Sequence, residues 1–461
     1  MLEARLRVLA LIVTDAFTMS VAWVSSVALS ALLTPPRLFP ASSFAETMDY
    51  ALSRWGFLLF FLVFNTAARL YHGNLAYPGL ALSPVEEFRR LTLTTLATGL
   101  LFFSYLAFYG KQSLVSTGTV VLAVALTILC AQPARNLLRR FLRHFNLLQI
   151  SVVLLGSKRD RALLKQTIES SSYGGIRVAA EEERTHEAIE LAWRQGIKYC
   201  ISLQPLRVFR QSIRALLDNF SVVVNIPEMH VFPIALIKPV ELGGFGGFEM
   251  TNQLRQRGTR AIKRLSESVA AIVAGAICIV PGLCIAGLLC LAYGPRNVFY
   301  HTQRLGKKGR PFTIWKFQTM VPNAKEQLAA ILAKDPVLAA EWKRTGKLKR
   351  DPRITRIGKW LRRTSFDEIP QLLNVLRGEM SLIGPRPIVQ REVPLYGRYY
   401  EIVSCVKPGI TGFWQVSGRS ELDYNRRVAL DLYYVQNWSL WLDAWIFIRT
   451  FFVVLFQHGS Y

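Results

Sequence analysis

Apolar runs alternate with charged stretches through the first third of the chain. Four of these runs are each close to the roughly 20 residues that a helix needs to cross a bilayer. They predict a bundle of four transmembrane helices over residues 1–145. The four runs are residues 6–33, 51–68, 91–109 and 114–132.

The hydrophobic pattern changes after this bundle to short β-rich runs separated by helical ones. This alternation over residues 146–242 predicts a small parallel α/β layer that is Rossmann-like in outline. Its first strand-to-helix turn keeps only Gly156 of a G-x-G-x-x-G pattern. Because a pyrophosphate needs the close backbone approach that several glycines allow, dinucleotide binding is less favoured than a structural, regulatory or dimerising role.

A fifth apolar run occupies residues 265–293, after a glycine-rich linker and a basic stretch at residues 243–262. The run is long enough to span a membrane, but Pro281 and Gly282 lie at its centre. Proline removes one helix hydrogen bond and glycine loosens the backbone, so a sharp break is expected at this pair.

The charges decide how these runs are oriented. The chain has 56 Lys and Arg residues against 31 Asp and Glu residues, a formal net charge of +25, although 51% of its residues are hydrophobic. Arginines flank the four N-terminal runs on the side that places both ends of the bundle in the cytoplasm. Basic residues on both sides of residues 265–293 favour a re-entrant helix, which enters and leaves by one face, over a kinked transmembrane helix.

The densest charge lies in residues 351–387, DPRITRIGKWLRRTSFDEIPQLLNVLRGEMSLIGPRP, which contain six arginines and the adjacent acids Asp367 and Glu368. Neighbouring carboxylates raise each other's pKa unless cations offset the effect, and Arg362 and Mg²⁺ are candidate partners. Such a site can hold an anionic oxygen nucleophile beside a polyanionic substrate. The pattern predicts an enzyme that moves a phosphorylated group at a membrane surface, with plain surface ion pairs as the alternative.

Sequence motifs between residues 263 and 461 resemble those of the bacterial polyprenyl-phosphate hexose-1-phosphate transferases, or monotopic phosphoglycosyl transferases. The matching motifs are TQRLGKKGRPFTIWKFQTM, residues 351–387, KPGITGFWQVSGR and YYVQNWSLWLD. The predicted N-terminal four-helix bundle and the α/β module that follows it are similar to those of the large family members. The resemblance implies a membrane α/β protein with a C-terminal catalytic domain over residues 263–461 that carries the re-entrant helix.

The resemblance also implies a two-step reaction at the cytoplasmic face of the bacterial inner membrane. Asp367 would attack the phosphate next to the sugar of a UDP-hexose, releasing UMP and leaving a sugar phosphate on the carboxylate. Undecaprenyl phosphate would then attack this adduct and give undecaprenyl-diphospho-hexose, the first membrane step of surface polysaccharide synthesis. Galactose is favoured as the hexose, glucose is the alternative, and a homodimer is expected.

The resemblance extends to individual side chains. Glu368 would hold Mg²⁺ together with Asp367 or would assist the attack of undecaprenyl phosphate, and both roles stay open. Two positions depart from the family pattern: Val280 replaces the usual serine before the helix-breaking proline, and Gln318 stands where arginine is common. The residues expected to bind substrate phosphates are Arg304, Lys316, Arg362, Arg386, Gln415 and Arg419.

Two other functions remain for comparison. A non-catalytic membrane scaffold or regulator of polysaccharide export would use the α/β module to bind partners. Nucleic-acid binding is disfavoured, because basic residues cluster beside apolar helices rather than alternating with exposed aromatics. The six cysteines contain no CxxC pair, so neither a disulfide framework nor a zinc site is expected.

Overall fold

A computed structural model gives the fold in two compact units, Met1–Phe232 and Pro233–Tyr461. The structure describes residues 2–33, 56–71, 84–108, 114–145, 147, 150–170, 176–226, 237–242, 245–250, 257–335, 339, 348, 351–417 and 424–455.

Four helices open the first unit: α1 (Leu2–Leu33), α2 (Gly56–Ala67), α3 (Pro84–Phe108) and α4 (Leu114–His144). They share an apolar core in which the Trp23 ring lies 5.6 Å from Phe57 and 5.5 Å from Phe102. Helices α1, α3 and α4 are long and apolar enough to cross a membrane, whereas α2 has 12 residues. The predicted apolar, helical N-terminal region is thereby confirmed.

Charged side chains are buried inside this bundle. Arg135 of α4 donates from Nε to Asp15 Oδ1 at 2.7 Å and also bonds Asp15 Oδ2 through Nη2. Its Nη1 donates to Glu87 Oε1 at 2.8 Å, and Arg139 donates to Glu87 Oε2 at 2.8 Å. Asn65 of α2 donates to Asp15 Oδ2 at 3.0 Å. Two acids and two arginines, with no net formal charge, therefore join α1, α3 and α4, and Asn65 adds α2; we call this set the bundle cluster.

The rest of the first unit is an α/β layer. Its elements are β1 (Ile150–Leu155), α5 (Lys158–Ser170), β2 (Ile176–Glu182), α6 (Thr185–Gln195), β3 (Tyr199–Ser202), α7 (Leu206–Asn219) and β4 (Val222–Asn225). The strands are parallel in the order β2-β1-β3-β4. Alternate β1 residues enter separate apolar clusters, Val153 with Leu216 and Val152 with Ile168, because helices cover both faces of a parallel sheet.

The turn after β1 is closed by a neighbouring loop. Gly156 has φ +149°, and a Cβ atom placed there would lie 2.8 Å from Leu203 Cβ. The close approach of Leu203 therefore leaves no room for a side chain at position 156.

The second unit begins with an antiparallel hairpin, β5 (Ile237–Leu242) and β6 (Phe245–Met250). Residues 245–250 of the stretch expected to be a linker are thus a strand, and helix α8 (Arg257–Tyr293) starts before that stretch ends. The other elements are β7 (Phe299–Leu305), β8 (Pro311–Phe317), α9 (Ala324–Lys334), α10 (Arg356–Thr364), α11 (Gln371–Arg377), β9 (Ser381–Ile383), α12 (Val393–Tyr396), α13 (Tyr400–Ser404), β10 (Gly409–Thr411), α14 (Phe413–Val416), α15 (Tyr424–Gln436) and α16 (Leu440–Leu455).

Helix α8 is apolar and leaves most of its surface uncovered. Ala271 near its start packs with Val375, and Leu289 near its end packs with Leu361. Between them, Ile277 is 71% exposed and Leu283 is 68% exposed, as expected for a surface that meets lipid.

The backbone of α8 stays helical through the expected break at Pro281 and Gly282. The local change is therefore a proline inside a helix, which can bend the axis without ending the helix. The re-entrant course of this helix stays a prediction.

A buried polar network fixes the start of α8 to the C-terminal helices. Lys263 Nζ donates to Asp443 Oδ2 at 2.6 Å and forms an ion pair with Glu267 at 2.9 Å. Tyr434 and Trp438 also donate to Asp443, each at 2.8 Å. The polar residues of the YYVQNWSLWLD motif therefore hold the membrane helix to the domain.

Candidate active site

Helix α10 is docked on the end of β8 by a close backbone contact. Thr355 caps the helix by accepting a hydrogen bond from the Gly358 amide at 2.9 Å. A Cβ atom at Gly358 would lie 1.9 Å from the Thr319 carbonyl oxygen, so only glycine fits there. One face of α10 is thereby pressed onto Thr319, whose hydroxyl accepts from Arg362 Nε at 2.9 Å.

A tight turn brings the acid pair out of this helix. Ser365 ends α10 with φ +60°, a left-handed conformation that reverses the chain. The next three residues form a 3-10 helix, Phe366–Glu368, that leads into α11. Asp367 is 8% exposed, which places its carboxylate at the edge of the protein interior.

Lys316 of β8 contacts both acids. Its Nζ lies 2.6 Å from Glu368 Oε1 and 3.6 Å from Asp367 Oδ2. Burial lowers the pKa of Lys316, but attraction to Glu368 and Asp367 outweighs burial and raises it. Lys316 therefore stays protonated between the two carboxylates and keeps them close together.

Burial and the neighbouring Glu368 raise the pKa of Asp367 above its usual range. Lys316 and Arg362 oppose this shift, because their positive charges favour the ionised carboxylate. The pKa of Arg362 is itself lowered by burial, despite its attraction to Asp367. The surroundings give Asp367 a poorly hydrated carboxylate that is more basic than an exposed aspartate, and a less hydrated anion is a better nucleophile.

Glycines hold the Gly-Pro-Arg-Pro turn at residues 384–387 against the KPGITG loop. Gly384 donates its amide to Thr411 O at 2.9 Å, and Gly409 donates to Pro385 O at 2.8 Å. A Cβ atom at Gly409 would lie 2.1 Å from the Gly384 nitrogen, so the two backbones can touch only without side chains. This interlock fixes the turn that carries Arg386.

Arg386 lies beside Arg304 and above an aromatic ring. Its guanidinium carbon is 5.5 Å from the centre of the Trp414 ring. Arg304 Nη1 lies 3.5 Å from Pro387 O, and burial together with Arg386 lowers the pKa of Arg304. The charge of Arg386 also reaches Lys316, whose pKa it lowers slightly against the effect of the acids. The structure therefore brings Asp367, Glu368 and most of the expected phosphate-binding residues into one basic site.

The structure does not place the other two expected phosphate-binding residues, Gln415 and Arg419, in this basic site. Gln415 donates to Ile410 O at 3.1 Å, and its buried Oε1 has no hydrogen-bond partner in the part of the chain that the structure describes. Arg419 lies outside the described residues.

Sequence reasoning missed two residues of this region. Arg427 lies over the Trp414 ring that Arg386 also contacts, with its guanidinium carbon 5.2 Å from the ring centre. Asp431 is buried, accepts from Tyr396 at 2.8 Å, and has its pKa raised by burial to about 7. Both lie on α15. Charged residues in an amphipathic helix are usually predicted to face solvent, so no sequence pattern identifies these two as part of a site.

The donor set suits one way of binding Mg²⁺. Among the described residues, no group of three or more His, Cys, Asp or Glu side chains is placed to hold a metal. Mg²⁺ is usually bound by one or two carboxylates together with substrate phosphates and water, and Asp367 and Glu368 fit that mode.

Comparison with known proteins identifies the family of the C-terminal unit. The sequence profile of the bacterial sugar transferases matches residues 258–457, which contain every residue of the site described above. The exopolysaccharide production protein ExoY of Sinorhizobium fredii is 44% identical over 179 residues, covering 39% of this chain and 79% of that protein. The chain therefore belongs to the bacterial sugar transferase family.

Longer relatives carry more specific names. The undecaprenyl-phosphate galactose phosphotransferase of Salmonella typhimurium is 44% identical over 210 residues, which are 46% of this chain and 44% of that protein. The UDP-glucose:undecaprenyl-phosphate glucose-1-phosphate transferase of Escherichia coli is 32% identical over 260 residues, 55% of this chain and 53% of that protein. The chain thus matches about half the length of these longer relatives.

Proposed function

We propose that this protein transfers hexose-1-phosphate from a UDP-hexose to undecaprenyl phosphate, giving undecaprenyl-diphospho-hexose and UMP. The observation that carries the proposal is the buried Asp367 carboxylate, which lies 3.6 Å from Lys316 and within the field of Arg362. A carboxylate nucleophile needs such cations, because they offset its repulsion from the substrate phosphates. The family membership and the names of the longer relatives support the same chemistry.

In the first step, an Asp367 oxygen attacks the phosphorus next to the sugar. The phosphorus–oxygen bond of the diphosphate breaks, and UMP leaves with the bonding electron pair. The sugar phosphate stays on the carboxylate as an acyl phosphate, and Arg386 and Arg304 stabilise the charge on the phosphate oxygens.

In the second step, a phosphate oxygen of undecaprenyl phosphate attacks the same phosphorus. The bond to Asp367 breaks, the carboxylate is restored, and the lipid diphosphate sugar leaves. Lys316 neutralises the acid pair in both steps and keeps it close to the phosphates.

Asp367 and Glu368 are the residues that would hold Mg²⁺. When bound, the ion would neutralise charge on the substrate diphosphate. Glu368 has a second possible role, because a carboxylate beside the nucleophile can orient the acceptor phosphate by accepting a proton from it.

The exposed apolar surface of α8 supports placing the reaction at the membrane. We place the C-terminal unit on the cytoplasmic face of the bacterial inner membrane, with α8 re-entrant at Pro281, a Rossmann-like module in the first unit and a homodimer as the assembly. Galactose is the favoured hexose, with glucose next, and both sugars occur in the names of relatives.

Replacing Asp367 tests the proposal. With UDP-galactose and undecaprenyl phosphate, Asp367→Asn should release UMP at least about 10³-fold more slowly than the natural protein, because an amide is not a nucleophile here. With radiolabelled UDP-galactose and no acceptor, the natural protein should become labelled and the variant should not. Glu401→Gln, which changes an exposed carboxylate of the same unit, is the control and should retain activity.

Retained UMP release in Asp367→Asn would contradict the mechanism. No release by the natural protein with any of a panel of UDP-sugars would instead favour the non-catalytic scaffold. The same panel names the hexose.

A further inference from the structure

We propose that Glu267 is a positioning residue for the reaction: from helix α8 it holds the strand that leads into the turn carrying Arg386. This inference rests on the proposed function, in which Arg386 stabilises the charge on the substrate phosphates. It gives α8 a part in phosphate binding, in addition to its part in the apolar core.

Glu267 is the only acidic residue in the 37 residues of α8. It is 7% exposed, so its carboxylate is largely withdrawn from water. A buried carboxylate is costly unless an opposite charge and hydrogen bonds replace its hydration. Lys263, one turn earlier in α8, supplies the charge, with its Nζ 2.9 Å from Glu267 Oε1. The hydrogen bonds come from a different element of the same unit.

Strand β9 supplies those hydrogen bonds. The Ser381 hydroxyl donates to Glu267 and lies 2.7 Å from each of its carboxylate oxygens. The Ile383 amide also donates to Glu267 Oε1, at 3.4 Å. Lys263 contacts the same strand, because its Nζ donates to Ile383 O at 3.2 Å. The first and last residues of β9 are therefore both fixed to the N-terminal half of α8.

The residues after β9 form the Gly-Pro-Arg-Pro turn. Ile383 directly precedes Gly384, and Arg386 follows three residues after Ile383. The turn is also held from the side of β10, because the Gly384 amide donates to Thr411 O at 2.9 Å. A shift of β9 is therefore passed through a short, fixed segment to the guanidinium of Arg386. Such a shift is costly, since a misplacement of about 1 Å can slow an enzyme about 10²-fold.

The alternative role of Glu267 is structural, as an anchor that ties α8 to the C-terminal unit. An anchor of this kind stabilises the fold, and its effect adds to that of any other substitution. A positioning residue acts through Arg386 instead, so its loss costs little once Arg386 is itself replaced. A double-mutant cycle with Arg386 therefore separates the two roles.

The cycle uses full-length protein and measures kcat/KM for UDP-galactose by UMP release, with undecaprenyl phosphate saturating. Ser381→Ala should lower kcat/KM about 3- to 10-fold, the loss of one hydrogen bond, and Glu267→Ala about 10- to 100-fold. In an Arg386→Gln background, each should lower kcat/KM by less than about twofold more. Single-turnover assays with the enzyme in excess keep the slow background rate measurable. Ser266→Ala removes an exposed hydroxyl beside Glu267 and, as the control, should retain activity.

Losses that multiply with the loss caused by Arg386→Gln would overturn the proposal, because Glu267 and Ser381 would then act independently of Arg386. Thermal unfolding in detergent shows which variants are folded, and Ser381→Ala carries the test if Glu267→Ala does not fold. If Asp367→Asn abolishes UMP release while folded Ser381→Ala behaves as the natural protein, the positioning role fails and the proposed reaction stands. If Asp367→Asn keeps full activity, the proposed reaction fails by itself.

Discussion

The bundle cluster and the candidate active site are two of the charged clusters among the described residues, and their charges are arranged in opposite ways. The bundle cluster pairs Asp15 and Glu87 with Arg135 and Arg139, so its formal charges cancel and its members hydrogen-bond to one another. The candidate active site sets its acid pair beside Lys316 and Arg362, and Lys316 and Glu368 are partly exposed. A neutral, closed cluster is suited to stabilising the fold, whereas a partly exposed acid pair beside cations is accessible to a charged ligand.

The physical reason lies in the cost of burying charge. A charged group taken out of water needs opposite charges and hydrogen bonds that replace nearly all of its hydration. Inside a membrane, no water is present to supply missing hydrogen bonds. The bundle cluster achieves this internally with groups from four helices. The candidate active site is partly exposed at Lys316 and Glu368, so water can solvate these charges when no ligand is bound.

The largest expected effect comes from removing the cation of the active site. Lys316→Gln should lower kcat/KM about 10²- to 10³-fold, because the acid pair then repels the substrate phosphates and Asp367 becomes harder to ionise. The unfolding temperature should stay within about 2–4 °C of the natural value, since a partly exposed ion pair adds little stability. The exposed Lys334→Gln is the matched control. Equal losses of stability and activity would show that this site, too, serves the fold.

The bundle cluster should respond in the opposite way. Asp15→Asn leaves Arg135 buried without its main partner and should destabilise the protein by about 3 kcal/mol, measured by thermal unfolding in detergent. The KM values and the kcat of the folded fraction should not change. Adding Arg135→Gln should restore part of the stability, because the two substitutions remove one interaction. A change in KM for either substrate would give the bundle a part in substrate binding.

The smallest effect tests Asp431, which lies in the active-site unit but is buried like the bundle charges. Its pKa rises from 3.8 to about 7 on folding, so the folded state holds the proton more tightly than the unfolded state. Its contribution to stability is full below pH 3.8 and is lost as pH rises towards 7. Asp431→Asn can still accept from Tyr396 and does not ionise. The difference in unfolding temperature between this variant and the natural protein should increase by about 2–4 °C in favour of the variant as the pH rises from 5 to 8. A constant difference across this range would contradict the assignment.

Much of this architecture follows from local patterns. Apolar length predicted the helical N-terminal region and α8, and alternation predicted the strands and helices of the middle layer. The acid pair was marked by the density of charge around Asp367, and the family motifs supplied Lys316 and Arg386. These features are contiguous in the chain, so a pattern of a few residues contains them.

Partners that are distant in sequence could not be predicted in this way. Periodicity shows that a residue is buried but not what it meets. Arg135 lies 120 residues from Asp15, and Lys263 lies 180 residues from Asp443. Arg427 is likewise hidden, because its partner Trp414 belongs to another helix. For Pro281, the local rule predicted an interruption, whereas the surrounding helix continues through it.

The uncovered helix α8 has a consequence for how the protein responds to its surroundings. Ala271 and Leu289 of α8 belong to the same apolar clusters as residues of β8, α10 and α11. Strand β8 carries Lys316, and the acid pair lies on the 3-10 helix between α10 and α11. The apolar helix α8 thus forms part of the core of the C-terminal unit and is more than a membrane anchor. We therefore expect bilayer thickness and fluidity to affect the packing beneath the proposed reacting atoms, and hence the rate.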